Sequence, residues 1–95
     1  MSRQRTLEKI ADSEYVTIGE LARLSNTRYS TLKFYTEEGM LPFEQADTNL
    51  TRRYKRVEAL CRIEEIRGMR QSGKTIPEIK AFLMQKAKDI PLGYQ

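Results

Sequence analysis

Apolar residues recur at helical spacing in several stretches of this chain, and the polar residues between them carry signals that start and stop helices. Ile18, Leu21, Ala22 and Leu24 fall on one face behind Thr17-Ile18-Gly19-Glu20. That tetrapeptide fits a capping box, in which the Thr17 hydroxyl accepts from the backbone of Glu20 and the Glu20 carboxylate reaches back. Ser25-Asn26 breaks the run, since Asn is one of the few residues that tolerates a left-handed turn. A second helix is predicted from Thr27 or Arg28 to Glu38, stopped by Gly39, with Met40-Leu41-Pro42 leaving it in extended form. Two short helices joined by a tight polar turn make a helix-turn-helix.

Phe43 to Leu50 is polar and irregular, with Asp47-Thr48-Asn49 a turn between two short extended pieces. The second piece is Thr51-Arg52-Arg53-Tyr54, a candidate wing. Beyond it, Val57, Leu60, Cys61, Ile63, Ile66 and Met69 predict a third helix ending at Ser72-Gly73. Thr75-Ile76-Pro77-Glu78 is a second capping box, with proline tolerated in the first turn. The fourth helix buries Ile79, Phe82 and Leu83 and frays near Asp89, ahead of Pro91 and Gly93. Upstream, Leu7, Ile10 and Ala11 line one side of a short helix from Thr6 to Ser13. The expected fold is mainly α: a winged helix-turn-helix of about four helices with a short two-stranded wing. Residues 15–88 form the domain, 1–14 an N-terminal extension and 89–95 a C-terminal tail.

Composition narrows the function. A chain of 95 residues is one domain, too small to enclose a deep substrate pocket, and it carries no Ser/His/Asp set or glycine-rich phosphate loop, so it is not expected to be an enzyme. Its formal charge of +4 favours polyanionic partners, because Lys and Arg displace counterions condensed on phosphates. The single cysteine, Cys61, cannot form an intramolecular disulfide, and without histidine the usual zinc ligands are missing, so no metal and no cofactor are expected. Cys61 falls on the apolar stripe and reads as a small buried hydrophobe; Met69 and Met84 read as core fillers. No apolar run is long enough for a membrane span, and the N-terminus lacks the apolar stretch of a signal peptide, so a cytoplasmic protein is expected.

Arg28, Tyr29, Ser30 and Lys33 occupy the first two turns of the second helix, the part that enters the major groove in helix-turn-helix proteins. Arg28 and Lys33 suit guanine O6/N7 or a phosphate; Tyr29 suits a thymine methyl or the backbone. Leu32 and one aromatic are core, with Phe34 preferred inside and Tyr35 presenting its hydroxyl to a phosphate. Arg52 and Arg53 point to opposite sides of a strand, so one of them is expected to reach DNA from a given face unless twist at the turn brings both to it; both are kept in the candidate set. The alternative for these arginines is a surface salt bridge with Glu37 or Glu38. Tyr54 packs. Lys55 and Arg56 put positive charge at the start of the third helix, against its dipole, a conflict that a nearby phosphate relieves. Thr17, at the head of the first helix, completes the expected DNA-facing set.

The joint order of the capping box, Thr31-Leu32-Lys33-Phe34-Tyr35, Gly39-Met40-Leu41-Pro42, Arg52-Arg53-Tyr54 and the closing Gly73 with Pro77-Glu78-Ile79 resembles the MerR family of bacterial transcription regulators from about Tyr15 to Leu83. The departures are Asn26-Thr27 where the family usually has Gly-Val, Lys33 for Arg, Thr36 for Glu, and Leu50 for the wing glycine. The resemblance implies a nucleoid-associated regulator that binds double-stranded DNA as a homodimer on a pseudo-palindrome. It also implies that the regulator represses, or activates by distorting the promoter spacer bound by RNA polymerase, and that Arg52 is the wing contact. Family members typically continue into a long coiled coil, and Ala87-Lys88-Asp89-Ile90-Pro91 offers no apolar heptads. The chain is therefore expected to be a DNA-binding fragment of a longer protein or to pair another way. Short-tailed members, the nitrogen-metabolism repressors, pair through an N-terminal helix, and a partner protomer is the preferred seat for the apolar side of the Thr6–Ser13 helix. The alternatives are an excisionase or other DNA-architectural or recombination accessory protein built on the same winged fold, a chromosome-anchoring or packaging protein, and a protein-interaction module.

Overall fold

A computed structural model describes residues 6–47 and 50–88, and places on them, in chain order, α1 (Leu7–Asp12), β1 (Tyr15–Val16), α2 (Ile18–Ser25), α3 (Tyr29–Glu37), β2 (Tyr54–Lys55), α4 (Arg56–Gln71) and α5 (Ile76–Lys88). The chain groups into two compact units, one ending at Ile63 and the other beginning at Glu64, with the boundary inside α4.

Local chemistry sets the helix ends of the first unit. The Thr17 hydroxyl accepts from the Glu20 N–H at 3.2 Å, and the Thr17 N–H donates to the Glu20 carboxylate at 2.9 Å. These two bonds satisfy donors that the first turn of α2 leaves over. Asn26 closes α2 with a left-handed φ of 54°, and Gly39 sits beyond α3 at φ 78°. The Met40 N–H then reaches back to the Tyr35 carbonyl at 2.9 Å, the return bond of a left-handed helix stop. α1 starts on Thr6, whose hydroxyl accepts from the Lys9 N–H.

α2 packs on α3 and α1 packs on α2. Ile10, Val16, Leu21, Leu32, Tyr35, Met40, Leu41, Tyr54, Ala59 and Ile63 are the buried apolar residues of this unit, and each large one contributes roughly 1.5–3 kcal/mol on leaving water. Ile10 is completely buried while Leu7 is 52% exposed. The expected apolar side of α1 thus narrows to one residue, and that residue lies inside its own unit instead of awaiting a partner protomer.

β1 and β2 pair antiparallel, Tyr15 opposite Lys55 and Val16 opposite Tyr54. The two-stranded sheet is therefore made by the segment before α2 and the segment before α4. The wing itself is a single bridge in which Glu44 and Arg53 exchange backbone hydrogen bonds of 2.7 and 2.8 Å. Of the expected turn, Thr48 and Asn49 lie outside the described residues, and the Leu50 N–H donates to the Asp47 carbonyl at 2.9 Å.

In the second unit, Gly73 takes a φ of 96° after α4, and the Lys74 N–H returns to the Met69 carbonyl at 3.0 Å. Thr75 and Glu78 form the second capping box, at 2.8 and 3.3 Å. Ile66, Ile79 and Leu83 are buried.

Several side chains take the other face from the one expected. α3 buries Leu32, Tyr35 and Thr36, three and four residues apart, and Phe34 stands about 200° round the axis from Leu32. Phe34 is accordingly 43% exposed and Tyr35 only 7%, the reverse of the assignment made from sequence. α4 buries Ala59, Ile63 and Ile66, so Val57 and Cys61, each two residues from Ala59, are exposed. On α5 the stripe through Ile79 and Leu83 leaves Phe82 and Met84 exposed on either side of it.

If Ile10 anchors α1, Ile10→Ala should lower the free energy of unfolding by roughly 2–5 kcal/mol. Leu7→Ala should stay within about 0.5 kcal/mol. Urea denaturation followed by circular dichroism measures both, and equal small effects would detach α1 from the core.

Candidate nucleic-acid interface

The outward half of α3 is a mixed row of hydrogen-bonding and cationic groups. Opposite the buried Leu32, Tyr35 and Thr36, the helix exposes Tyr29, Ser30, Lys33, Phe34 and Glu37, and Arg28 is exposed at its N-cap. No side chain caps this N-terminus, in contrast to α1 and α2, so its first N–H groups are left to solvent or to an anion.

The wing delivers Arg52 to the other end of that row. Arg52 Nη1 donates to Glu37 Oε2 at 3.0 Å, and Lys33 Nζ lies 3.9 Å from the same oxygen. The Arg52 guanidinium also lies over the Phe43 ring, 4.7 Å from its centroid, at the distance where a cation is drawn to the face of an aromatic. Arg52 thus takes up the ion pair considered as its alternative role, and shares it with Lys33. Hydrogen bonding and charge from Arg52, followed by the charge of Lys33, hold the Glu37 carboxyl below its usual range.

Arg53 goes the opposite way, as successive strand residues must. Its guanidinium lies 4.7 Å over the Tyr15 ring, and the Tyr15 hydroxyl donates to Glu44 at 3.3 Å. Arg52 and Arg53 therefore flank the wing on different sides, and Arg52 is the one brought to α3.

The remaining expected site residues serve the fold in part or in full. Thr17 spends its hydroxyl on the α2 cap. Tyr35 has its ring in the core. Lys55 is half-buried in β2 beside Tyr15. Arg56 donates through Nε to the Ser13 carbonyl at 2.7 Å, and its N–H donates to the Glu14 carbonyl at 2.9 Å. The positive charge at the head of α4 is thus answered by a backbone carbonyl of the α1–β1 connection. Phe43, which supports Arg52, has no spacing signal in the sequence; Glu37, four residues past Lys33, does.

Among the described residues no group of His, Cys, Asp and Glu is placed to hold a metal ion, and no helix is long and apolar enough to cross a membrane. A family model described as MerR HTH family regulatory protein matches residues 16–86. No curated protein and no solved structure matches the chain.

Because the Glu37 pKa is lowered in the folded state, the stability it lends is present above the unfolded value near 4.5 and is lost as pH falls through the lower folded value. A carboxyl-detected NMR titration should place the Glu37 midpoint below that of an ordinary glutamate, and Arg52→Ala should move it up. An unmoved midpoint would mean that Arg52 is not the principal partner in solution.

Proposed function

The chain belongs to the MerR HTH family of regulatory proteins, DNA-binding transcription regulators and not enzymes, and on that premise we propose that it reads a pseudo-palindromic operator as a dimer, with α3 in the major groove and the wing on the flanking backbone. The observation that carries this reading is the exposed row of Arg28, Tyr29, Ser30 and Lys33 on α3, extended at its far end by the half-buried Arg52 of the wing.

Each part of the row suits a different feature of DNA. The first residues of a recognition helix meet base edges, where a guanidinium matches the two acceptors of guanine. Arg28 and Tyr29 stand there. The uncapped N–H groups of the same turn suit a phosphate oxygen. Arg52, beyond the C-terminal end of α3, suits the sugar-phosphate backbone, which fixes register without reading sequence. Two such heads related by a two-fold axis match two half-sites about one helical turn apart. At a promoter, the bound dimer would act on RNA polymerase through the DNA between its recognition elements.

Arg28→Ala should cost about 1–3 kcal/mol on the operator and relax preference at one base position per half-site. Arg52→Ala should weaken operator and unrelated DNA alike and flatten the slope of log K against log salt by about 1. Binding titrations on both kinds of duplex separate these roles. A loss confined to the operator in Arg52→Ala would reassign Arg52 to base reading.

Pairing is proposed to occur on DNA. With Ile10 inside its own unit, α1 retains Leu7 as its exposed large apolar residue, far too little surface for α1 to make a tight dimer. On this reading sedimentation of the free 95-residue chain should give a monomer, and operator binding should be cooperative. A tight dimer without DNA would overturn this assembly route.

A further inference from the structure

Glu37 joins the two cationic parts of the interface and carries the sign that DNA repels. One carboxylate oxygen lies 3.0 Å from Arg52 Nη1 and 3.9 Å from Lys33 Nζ. Glu37 is the last residue of α3, where the negative end of the helix dipole disfavours a carboxylate. Its place is favoured by the two cations, which act against the dipole.

The dependence does not run equally in the other direction. Arg52 is supported independently by the Phe43 ring beneath its guanidinium. Its backbone neighbour Arg53 is fixed by the two-bond bridge to Glu44. Removing the Glu37 charge therefore leaves Arg52 with a seat, and what the carboxylate does is occupy its donors. A carboxylate and a phosphate offer a guanidinium the same pattern of acceptor oxygens.

We propose that Glu37 is an internal stand-in for a DNA phosphate, holding Lys33 and Arg52 in the free protein and giving them up to a backbone phosphate on binding. The proposal rests on the reading of Lys33 and Arg52 as DNA-facing. It makes Glu37 a determinant of specificity: a complex that seats a phosphate at this one place recovers both cations, whereas loosely registered complexes on unrelated DNA, which draw their affinity from phosphate contacts in general, leave the carboxylate in place and meet its repulsion.

The test is Glu37→Gln, which keeps the shape and an acceptor oxygen for Arg52 but removes the charge, titrated with a short mixed-sequence duplex over a range of salt. Binding should tighten roughly three- to tenfold at low salt, with the slope of log K against log salt steeper by up to about 1. The gain should shrink to what simple charge repulsion supplies when the substitution is made on top of Lys33→Ala/Arg52→Ala, and an undiminished gain there would overturn the proposal. Unchanged or weaker binding in Glu37→Gln, with Arg52→Ala still weakening, overturns the proposal and leaves the interface reading intact. Unchanged binding in Arg52→Ala removes the interface reading and this proposal together.

Discussion

The burial of the Tyr54 phenol is the constraint on which the first unit turns. A hydroxyl taken out of water must find a partner inside, and the partner here is Thr36, whose Oγ1 lies 2.9 Å from Tyr54 Oη and 2.9 Å from the Leu32 carbonyl. A carbonyl only accepts, so the one Thr36 proton goes to Leu32 and Tyr54 is the donor to Thr36. Among the described residues no buried side-chain nitrogen or oxygen is left without a partner. The bond ties β2 to the inner face of α3, and β2 in turn pairs with β1 at the head of α2. Thr36 occupies a position where the family commonly has Glu, and a carboxylate could not simply replace a hydroxyl that both donates to a carbonyl and accepts from a phenol. Because Arg52 and Arg53 immediately precede Tyr54, their directions are measured from this anchor.

Two arginines extend the same logic to the start of α4. Arg56 holds the Ser13 carbonyl, and Arg62 donates to the Met40 carbonyl at 2.9 Å. Both spend guanidinium donors on backbone oxygens of segments that enter or leave helices, where carbonyls lack a helical partner. The positive charge of the sequence is thereby sorted. Cations that close the fold sit on carbonyls, and those on the outer row of α3 and the wing face solvent or an exposed carboxylate. Net charge alone cannot make that distinction, since it counts Arg56 and Arg28 alike.

What the sequence disclosed followed from how local the physics was. Both capping boxes, the left-handed Asn26 and the glycine stops at Gly39 and Gly73 depend on residues within one turn, and all are found as read. The helix faces were less legible. Where apolar residues populate more than one side, as with Phe34 beside Tyr35, or Val57 and Cys61 beside Ala59, periodicity identifies a helix without saying which side meets the core. β1 is two residues long, too short for alternation to show, and its pairing is with a distant segment. The same split holds for the candidate site. The exposure of Arg28, Tyr29, Ser30 and Lys33 was readable from helix phase, and the opposite directions of Arg52 and Arg53 from strand geometry. The Phe43 ring under Arg52 depends on how the wing folds back, which no local rule supplies.

The interface consequently has two mechanical characters. α3 is fixed along its inner face by buried apolar residues and by the Thr36–Tyr54 bond, so on the proposed reading the row it would present to a groove is set by the fold itself. The wing is held to itself by the Glu44–Arg53 bridge, the bonds of Gln45 and Asp47 to Leu50 and the Arg52 guanidinium over Phe43, and it meets α3 through an exposed ion pair, a contact that is weak in water and open to exchange for a phosphate. Base reading needs the first character, because a bidentate contact tolerates little displacement. Backbone contact benefits from the second, because phosphate positions vary with the local shape of the duplex. On the proposed reading, the buried hydroxyl pair serves register and the exposed charge pair serves affinity, and Glu37 lies where the two meet, on α3 and within reach of Arg52.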